Sequence, residues 1–145
     1  MTLSTDRLKV TLAEPGTFPN TTCRFDRSGF ITSVLLDGEL EFCTSEPENL
    51  SHPSSGGLGL CSEFIAPLMC SEAAPDTFFP KPGIGLMKKK GQAPYCFYET
   101  YEVQPFPLTW NLTGNSAVFS MEASMGSGYG WFQKRQIAVE GNRLI

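Results

Sequence analysis

Two neighbouring side chains, a carboxylate and an aromatic ring, are the first candidates for binding a small molecule. Glu63 and Phe64 end the glycine-rich stretch 57–64. A carboxylate accepts hydrogen bonds from the hydroxyls of a ligand, and an aromatic ring stacks on its apolar face. Glu63 and Phe64 are therefore candidates for binding a small molecule that carries both. The structural alternative is that Phe64 belongs to the core while Glu63 caps or solvates the loop.

Two lysines are further candidates for ligand binding. Lys81 stands between Pro80 and Pro82, which would fix the loop that carries it, and Lys88 begins the only compact basic run, 88–90. Either ammonium group could bind an acidic or phosphorylated sugar. The alternative is that both lysines are solvated surface residues, which is the commoner state of this side chain.

No motif for nucleophilic, phosphate or metal chemistry accompanies these residues. His52, the only histidine, lies in a polar Ser-Pro segment without a GxSxG elbow elsewhere, and it is interpreted as a solvated loop residue. The glycines of 57–59 and 126–130 lack the Lys-Ser/Thr ending of a P-loop and are interpreted as turns or bulges. The five cysteines form no CxxC pair, and the lone histidine cannot complete a common zinc pattern, so we predict reduced thiols and no metal site.

Composition and charge exclude two classes of binding partner. The formal net charge is −4 and the isoelectric point is about 5.0, so the chain has no broad cationic surface for nucleic acid. No apolar run approaches the roughly 20 residues that cross a bilayer. Residues 1–20 lack the apolar core of a signal peptide. The sequence thus predicts a cytoplasmic protein with neither a nucleic-acid nor a membrane partner.

The first part of the chain shows the two-residue period of strands with one buried face. Apolar and polar residues alternate over 8–12, and a second short strand is predicted over 23–26. In that second strand, Arg24 and Asp26 would face outward.

A compact antiparallel meander is predicted over 22–43. Asp37-Gly38 offers the left-handed geometry of a tight hairpin turn. On the returning strand, Leu40 and Phe42 would face inward.

The second part of the chain alternates between irregular and strand-like segments. Residues 44–57 are predicted to form a long loop, and 76–91 are interrupted by prolines and glycines. The predicted strands are 97–103, 108–112, 117–121 and 129–139. The second and third of these would pair across Gly114-Asn115.

The fold class predicted is all-β, an antiparallel β-sandwich formed by a single domain over 1–145. No segment sustains the 3.6-residue period of a helix. Residues 140–143 have the composition of a hairpin turn, and only 143–145 remain to begin the returning strand. We therefore expect the last long strand to lack a mate of comparable length and the domain to be incomplete. Trp110 and Trp131 are either stacking platforms or half-buried core residues.

Several segments together resemble one family. They share the order and spacing of its opening strands, its first glycine-rich loop on the binding face, the segment after that loop and a later pair of strands. These segments are 24–31, 36–38, 42–44, 57–64, 79–89, 101–106 and 139–144. The chain is similar, over nearly its whole length, to the N-terminal part of galactose-mutarotase-like proteins of the aldose 1-epimerase superfamily, in a poorly characterised branch.

The resemblance implies a large β-sandwich that binds a sugar in a groove on one sheet. The epimerases of this family interconvert sugar anomers with a histidine as general acid and a glutamate as general base, and they need no cofactor. Family members are nearly twice as long, and we expect their acid and base to lie in the part that this chain lacks. Glu63, Phe64, Lys81 and Lys88 are the carbohydrate-binding candidates in this chain, and no catalytic residue is assigned.

Three functional hypotheses follow. The first is a sugar-binding sandwich that is not catalytic alone. The second is an aldose 1-epimerase-like isomerase that works when the missing part completes it. The third is a structural half-domain that pairs with another chain, or with itself, through open sheet edges.

Overall fold

The computed structural model of the chain describes residues 1–17, 23–43, 59–64, 67–124 and 130–145. These residues form eleven strands and no helix. The strands are β1 (Thr2–Ser4), β2 (Leu8–Leu12), β3 (Ile31–Leu36), β4 (Leu40–Glu41), β5 (Phe78–Lys81), β6 (Gly85–Lys88), β7 (Val103–Pro105), β8 (Leu108–Thr113), β9 (Ser116–Ser124), β10 (Gly130–Glu140) and β11 (Arg143–Leu144). His52 and the loop predicted over 44–57 lie outside the described residues.

The strands form three antiparallel sheets. Their orders are β1-β2-β3-β4, β11-β10-β9-β8 and β5-β6-β7. The first two sheets share one apolar core, whose buried members are Leu3, Leu8, Val10, Leu12, Ile31, Val34, Ala117, Phe119, Ile137 and Val139. Two antiparallel sheets that bury their facing sides against each other are a β-sandwich. The predicted all-β sandwich class is confirmed.

The first sheet follows the predicted alternation. Leu8, Val10 and Leu12 of β2 are at most 4% exposed, which confirms the buried face. The hairpin turn between β3 and β4 also lies where it was predicted, since Asp37 and Gly38 have φ angles of 54° and 75°.

The predicted orientation of the returning strand in this sheet was wrong. Leu40 and Phe42 are 55% and 59% exposed instead of facing inward. Leu40 is paired with Leu36 and therefore lies on the same face as the buried Val34. It is exposed because β4 is the edge strand of this sheet among the described residues, and the buried core does not extend over it.

The predicted strand over 23–26 was also wrong. Only Phe25 of this segment makes a β-bridge, and Asp26 is 1% exposed instead of facing outward. The side chain of Asp26 is buried because it pairs with strand β10, which lies more than a hundred residues away in the chain.

The strands and turns of the second sheet were predicted, but the expectation that the last long strand lacks a mate of comparable length was wrong, because β10 pairs with β9 over nine residues. Strands β8 and β9 pair across Gly114-Asn115, and β10 covers the predicted final strand from Gly130 onward. The turn at 140–143 also forms, and β11 pairs with the end of β10.

The third sheet departs from the sequence prediction. Residues 76–91 contain the β5–β6 hairpin, with Pro80 opposite Leu86. Proline is tolerated in β5 because β5 is the edge strand of this sheet among the described residues. The strand predicted over 97–103 begins only at Val103.

The described part of the chain contains no helix long and apolar enough to span a membrane. All five cysteines lie in the described ranges and are free thiols. Cys23 and Cys70 are buried in the core of the third sheet together with Phe79, Met87 and Tyr101. This agrees with the prediction of reduced thiols that fill core space.

Candidate functional site

The end of the glycine-rich stretch lies directly beside β3. Leu60 and Ile31 exchange two backbone hydrogen bonds of 2.9 Å, and Glu63 forms a bridge with Phe25. Gly59 permits this approach, because a Cβ at that position would lie 1.8 Å from the Ile31 carbonyl oxygen. A glycine is therefore required for this stretch to reach its place.

Glu63 forms a two-pronged ion pair with Arg24. The Arg24 Nε lies 2.8 Å from Oε1 of Glu63, and Nη2 lies 3.0 Å from Oε2. The two side chains are 24% and 23% exposed, so the pair is accessible yet mostly covered. Paired hydrogen bonds of this kind fix the plane of both groups. The alternative interpretation of Glu63 as a loop cap is replaced by this long-range pair.

Aromatic rings hold the Arg24 guanidinium. Its central carbon lies 4.8 Å from the Phe25 ring centroid and 4.5 Å from that of Phe97. These distances allow cation–π attraction to both rings. Phe97 remains 37% exposed, so part of its ring faces solvent beside the ion pair.

Phe64 is neither fully buried in the core nor freely exposed for stacking on a ligand. It is 37% exposed, and its ring meets Trp131 edge-on with the centroids 6.5 Å apart. Trp131, on β10, in turn lies 5.8 Å from Phe106, in a small apolar cluster with Met121 of β9. Trp131 is therefore half-buried, as one of its two interpretations predicted.

Lys81 lies at the end of β5, and its environment contradicts both a pinned loop and a solvated lysine. The residue is 0% exposed, and its Nζ donates a hydrogen bond of 2.5 Å to the Phe64 carbonyl oxygen. Nζ also lies 5.0 Å from the ring centroid of Tyr95. Burial lowers the pKa of Lys81 because it disfavours the charged ammonium, while the carboxylate of Glu63 acts in the opposite direction.

Lys81 begins a stack of two rings between two ammonium groups, here called the Lys81–Lys90 stack. The rings of Tyr95 and Tyr101 lie 5.8 Å apart at 24°, and the Lys90 Nζ lies 5.4 Å from the Tyr101 centroid. Burial raises the pKa of Tyr95, and the neighbouring Tyr101 adds to the effect. The stack joins the β5–β6 hairpin to the irregular segment 90–101.

Lys88 is not brought together with the other three candidates. In the β5–β6 hairpin Lys81 is paired with Gly85 and Lys88 with Phe78, so the two lysines project from opposite faces. The Lys88 Nζ lies 3.3 Å from Glu102 Oε2 in an exposed ion pair. The structure thus groups Glu63, Phe64 and Lys81 and separates them from Lys88.

A buried carboxylate anchors the segment that carries Arg24. One oxygen of Asp26 accepts bonds of 2.8 Å from the backbone N–H and the hydroxyl of Ser28. The other accepts from Arg135 Nη2 at 2.8 Å and from the Gln133 amide. This network, here called the Asp26 network, fastens the 23–29 turn to β10. It positions Arg24 without touching the exposed surface.

Sequence reasoning missed Arg24, Tyr95 and Phe97 as members of the site. Arg24 and Glu63 are 39 residues apart, and no local pattern marks such a pair. The neighbourhood of Tyr95 and Phe97 offered only an aromatic-rich run. Within the described ranges, no group of three or more His, Cys, Asp or Glu side chains could hold a metal ion. The arrangement is suited to binding through hydrogen bonds and ring contacts.

Comparisons of the chain with protein-family models, curated proteins and solved structures gave no match. A function for this chain is therefore inferred from the geometry of Arg24, Glu63 and the rings around them.

Proposed function

We propose that this protein binds a carbohydrate at the Arg24–Glu63 pair. The observation that supports the proposal is a rigid guanidinium–carboxylate pair, about a quarter exposed, with the partly exposed ring of Phe97 against it. Sugars present hydroxyls that both donate and accept hydrogen bonds, and they also present apolar C–H faces. A binding site for them combines a few fixed polar groups with aromatic surface.

The carboxylate of Glu63 can accept more than it does in the free protein. An ionised carboxylate offers about four lone-pair positions, and Arg24 uses two of them. A sugar hydroxyl could donate to another position without breaking the ion pair. Because the pair is already fixed by Phe25 and Phe97, binding would cost little side-chain entropy.

Lys81 has an indirect role in this proposal. Its ammonium group is fully buried and donates to the Phe64 carbonyl oxygen, so it does not reach a ligand at the surface. It holds the backbone that follows Glu63, which fixes the position of the carboxylate. We therefore assign contact with the sugar to Glu63, Arg24 and Phe97, whereas the ring of Phe64 packs on Trp131.

The test is thermal unfolding with a panel of neutral hexoses and sugar phosphates at high concentration. A ligand that binds only the folded state stabilises it by about 2.7 kcal/mol at a hundred times its dissociation constant. We expect at least one sugar to raise the midpoint of the wild type and of Glu102→Gln, and not that of Glu63→Gln. Glu102 is a matched control because it is also paired with a basic side chain.

Two outcomes would count against the proposal. A midpoint that no sugar raises would exclude useful affinity, and an equal shift in Glu63→Gln would place the ligand elsewhere. The same samples can be assayed for anomer exchange by NMR. Acceleration that is lost in Glu63→Gln would favour the isomerase hypothesis over simple binding.

A further inference from the structure

Strand β8 is an open edge of the second sheet. The sheet order is β11-β10-β9-β8, so β9 is the only strand paired with Leu108–Thr113 among the described residues. The backbone hydrogen bonds of β8 in that part of the chain run to β9 alone. One side of β8 therefore presents N–H and C=O groups that another strand can pair with.

The apolar face of β8 continues the buried core face to this edge. Trp110 is paired with Phe119 and Leu112 with Ala117, and residues directly opposite each other share a face. Phe119 and Ala117 are each 1% exposed, whereas Trp110 and Leu112 are 47% and 41% exposed. In the described structure the core face thus ends at β8, where these two side chains are partly exposed.

No charge protects this edge. Residues 103–121 contain no Asp, Glu, Lys, Arg or His, although 18% of the whole chain is charged. Edge strands that stay unpaired usually carry a lysine, an inward-pointing charge or a proline. Residues 108–113, with the sequence LTWNLT, carry none of these.

We propose that β8 pairs with β8 of a second copy of this chain, in antiparallel orientation across a two-fold axis. A two-fold axis at Trp110 places Leu108 opposite the partner's Leu112. An axis at Asn111 instead places Trp110 opposite the partner's Leu112. Both registers keep all apolar side chains on one face, because even-numbered residues are paired with even-numbered residues in each. The partner strand is equally uncharged, so the pairing meets no like-charge repulsion.

The surface available sets the expected strength. Covering Trp110 and Leu112 on both copies removes on the order of 400 Å² of apolar area, since one aromatic side chain covers about 150–250 Å². Stable specific interfaces bury roughly 1,200–2,000 Å² in total. The dimer is accordingly weak, and we expect it only at high protein concentration.

Sedimentation velocity of the wild-type chain from about 5 μM to about 500 μM tests this inference. We expect reversible association that Leu112→Lys weakens at least about tenfold, because an inward-facing lysine blocks edge pairing. Phe132→Lys is the matched control. It removes a side chain that is 63% exposed on the interior strand β10, and we expect it to leave association unchanged.

Amide hydrogen exchange gives a second measurement that requires no variant. In the wild-type protein, amides of 108–113 should become more protected as the concentration rises, while those of β10 should not. A chain that stays monomeric throughout overturns the inference. So does association that Leu112→Lys leaves intact, or that Phe132→Lys abolishes, since either places the interface elsewhere.

Discussion

Replacing Asp26 by Asn tests whether the Asp26 network holds the molecule together. Asp26 is 1% exposed and Arg135 keeps only 19% of its side chain exposed, so the ion pair is largely shielded from water. Removing one partner of a buried pair leaves the other charge uncompensated, at a cost of about 3–5 kcal/mol. Folding stabilities are about 5–15 kcal/mol, so this is a large fraction of the total.

The hydrogen-bond geometry determines where the cost arises. The oxygen of the new amide would stay with Ser28, which donates twice to one carboxylate oxygen. Its NH₂ group would then face two donors, Gln133 Nε2 and Arg135 Nη2. Gln133 can turn its amide and offer Oε1, which has no hydrogen-bond partner among the described residues. Arg135 has no such adjustment, so we expect about 3 kcal/mol.

Urea unfolding monitored by circular dichroism measures this loss, with Asp37→Asn as the control. Asp37 pairs with Arg7 at the surface, where the side chains are 48% and 52% exposed. Solvent screens an ion pair at such an exposed position, so Asp37→Asn should lose clearly less stability than Asp26→Asn. If Asp26→Asn and Asp37→Asn lose the same stability, or if Asp26→Asn loses less than about 1 kcal/mol, the network is not structural and the reasoning is wrong.

Two further predictions concern the β5–β6 hairpin and its lysine. Gly83→Ala should cost clearly more than Gly91→Ala in the free energy of unfolding: both glycines have positive φ, but only a Cβ at Gly83 would meet Asp26, at 2.5 Å from Cγ. Equal losses in urea unfolding would show that the contact is relieved cheaply. The stability of Lys81→Met relative to wild type should fall as pH rises towards about 10.4, the usual lysine pKa. The pKa of Lys81 is lower in the folded state than in the unfolded state. Between these two pKa values the unfolded chain binds more protons than the folded chain, so the stability of the wild type rises with pH there. A pH-independent difference in urea midpoints would contradict this.

Periodicity and turn chemistry predicted the parts of the fold whose partners are close in sequence. The β8–β9 hairpin needs only two alternating strands and Gly114-Asn115, and all of these lie within a short window. The β3–β4 turn at Asp37-Gly38 is equally local.

The β5–β6 hairpin was missed because it contains a proline and a glycine, residues that usually interrupt strands. Pro80 is tolerated on an edge strand, and Gly83 lies in the turn where Asp26 approaches closely. A single sequence shows a proline and a glycine, but it does not show that one lies at an edge and the other under a buried carboxylate. The same limitation made Lys81 seem to be a loop residue.

The candidate site was half predictable for a related reason. Glu63 and Phe64 were found because a carboxylate next to a ring is visible locally. The partner of Glu63 is Arg24, and the buried partner of Asp26 is Arg135, 109 positions along the chain. Charge pairs at such separations depend on how the sheets pack, so no window of sequence contains them.

The Lys81–Lys90 stack has a consequence for how the molecule opens. Residues 90–101 belong to no strand and make few backbone hydrogen bonds in the described structure, so hydrogen bonding alone would let this segment fluctuate freely. The contact between the Lys81 ammonium and Tyr95, which stacks on Tyr101, ties it to β5 instead. Fluctuations of this segment are thereby coupled to those of the hairpin, and the two should open and close as one cooperative unit.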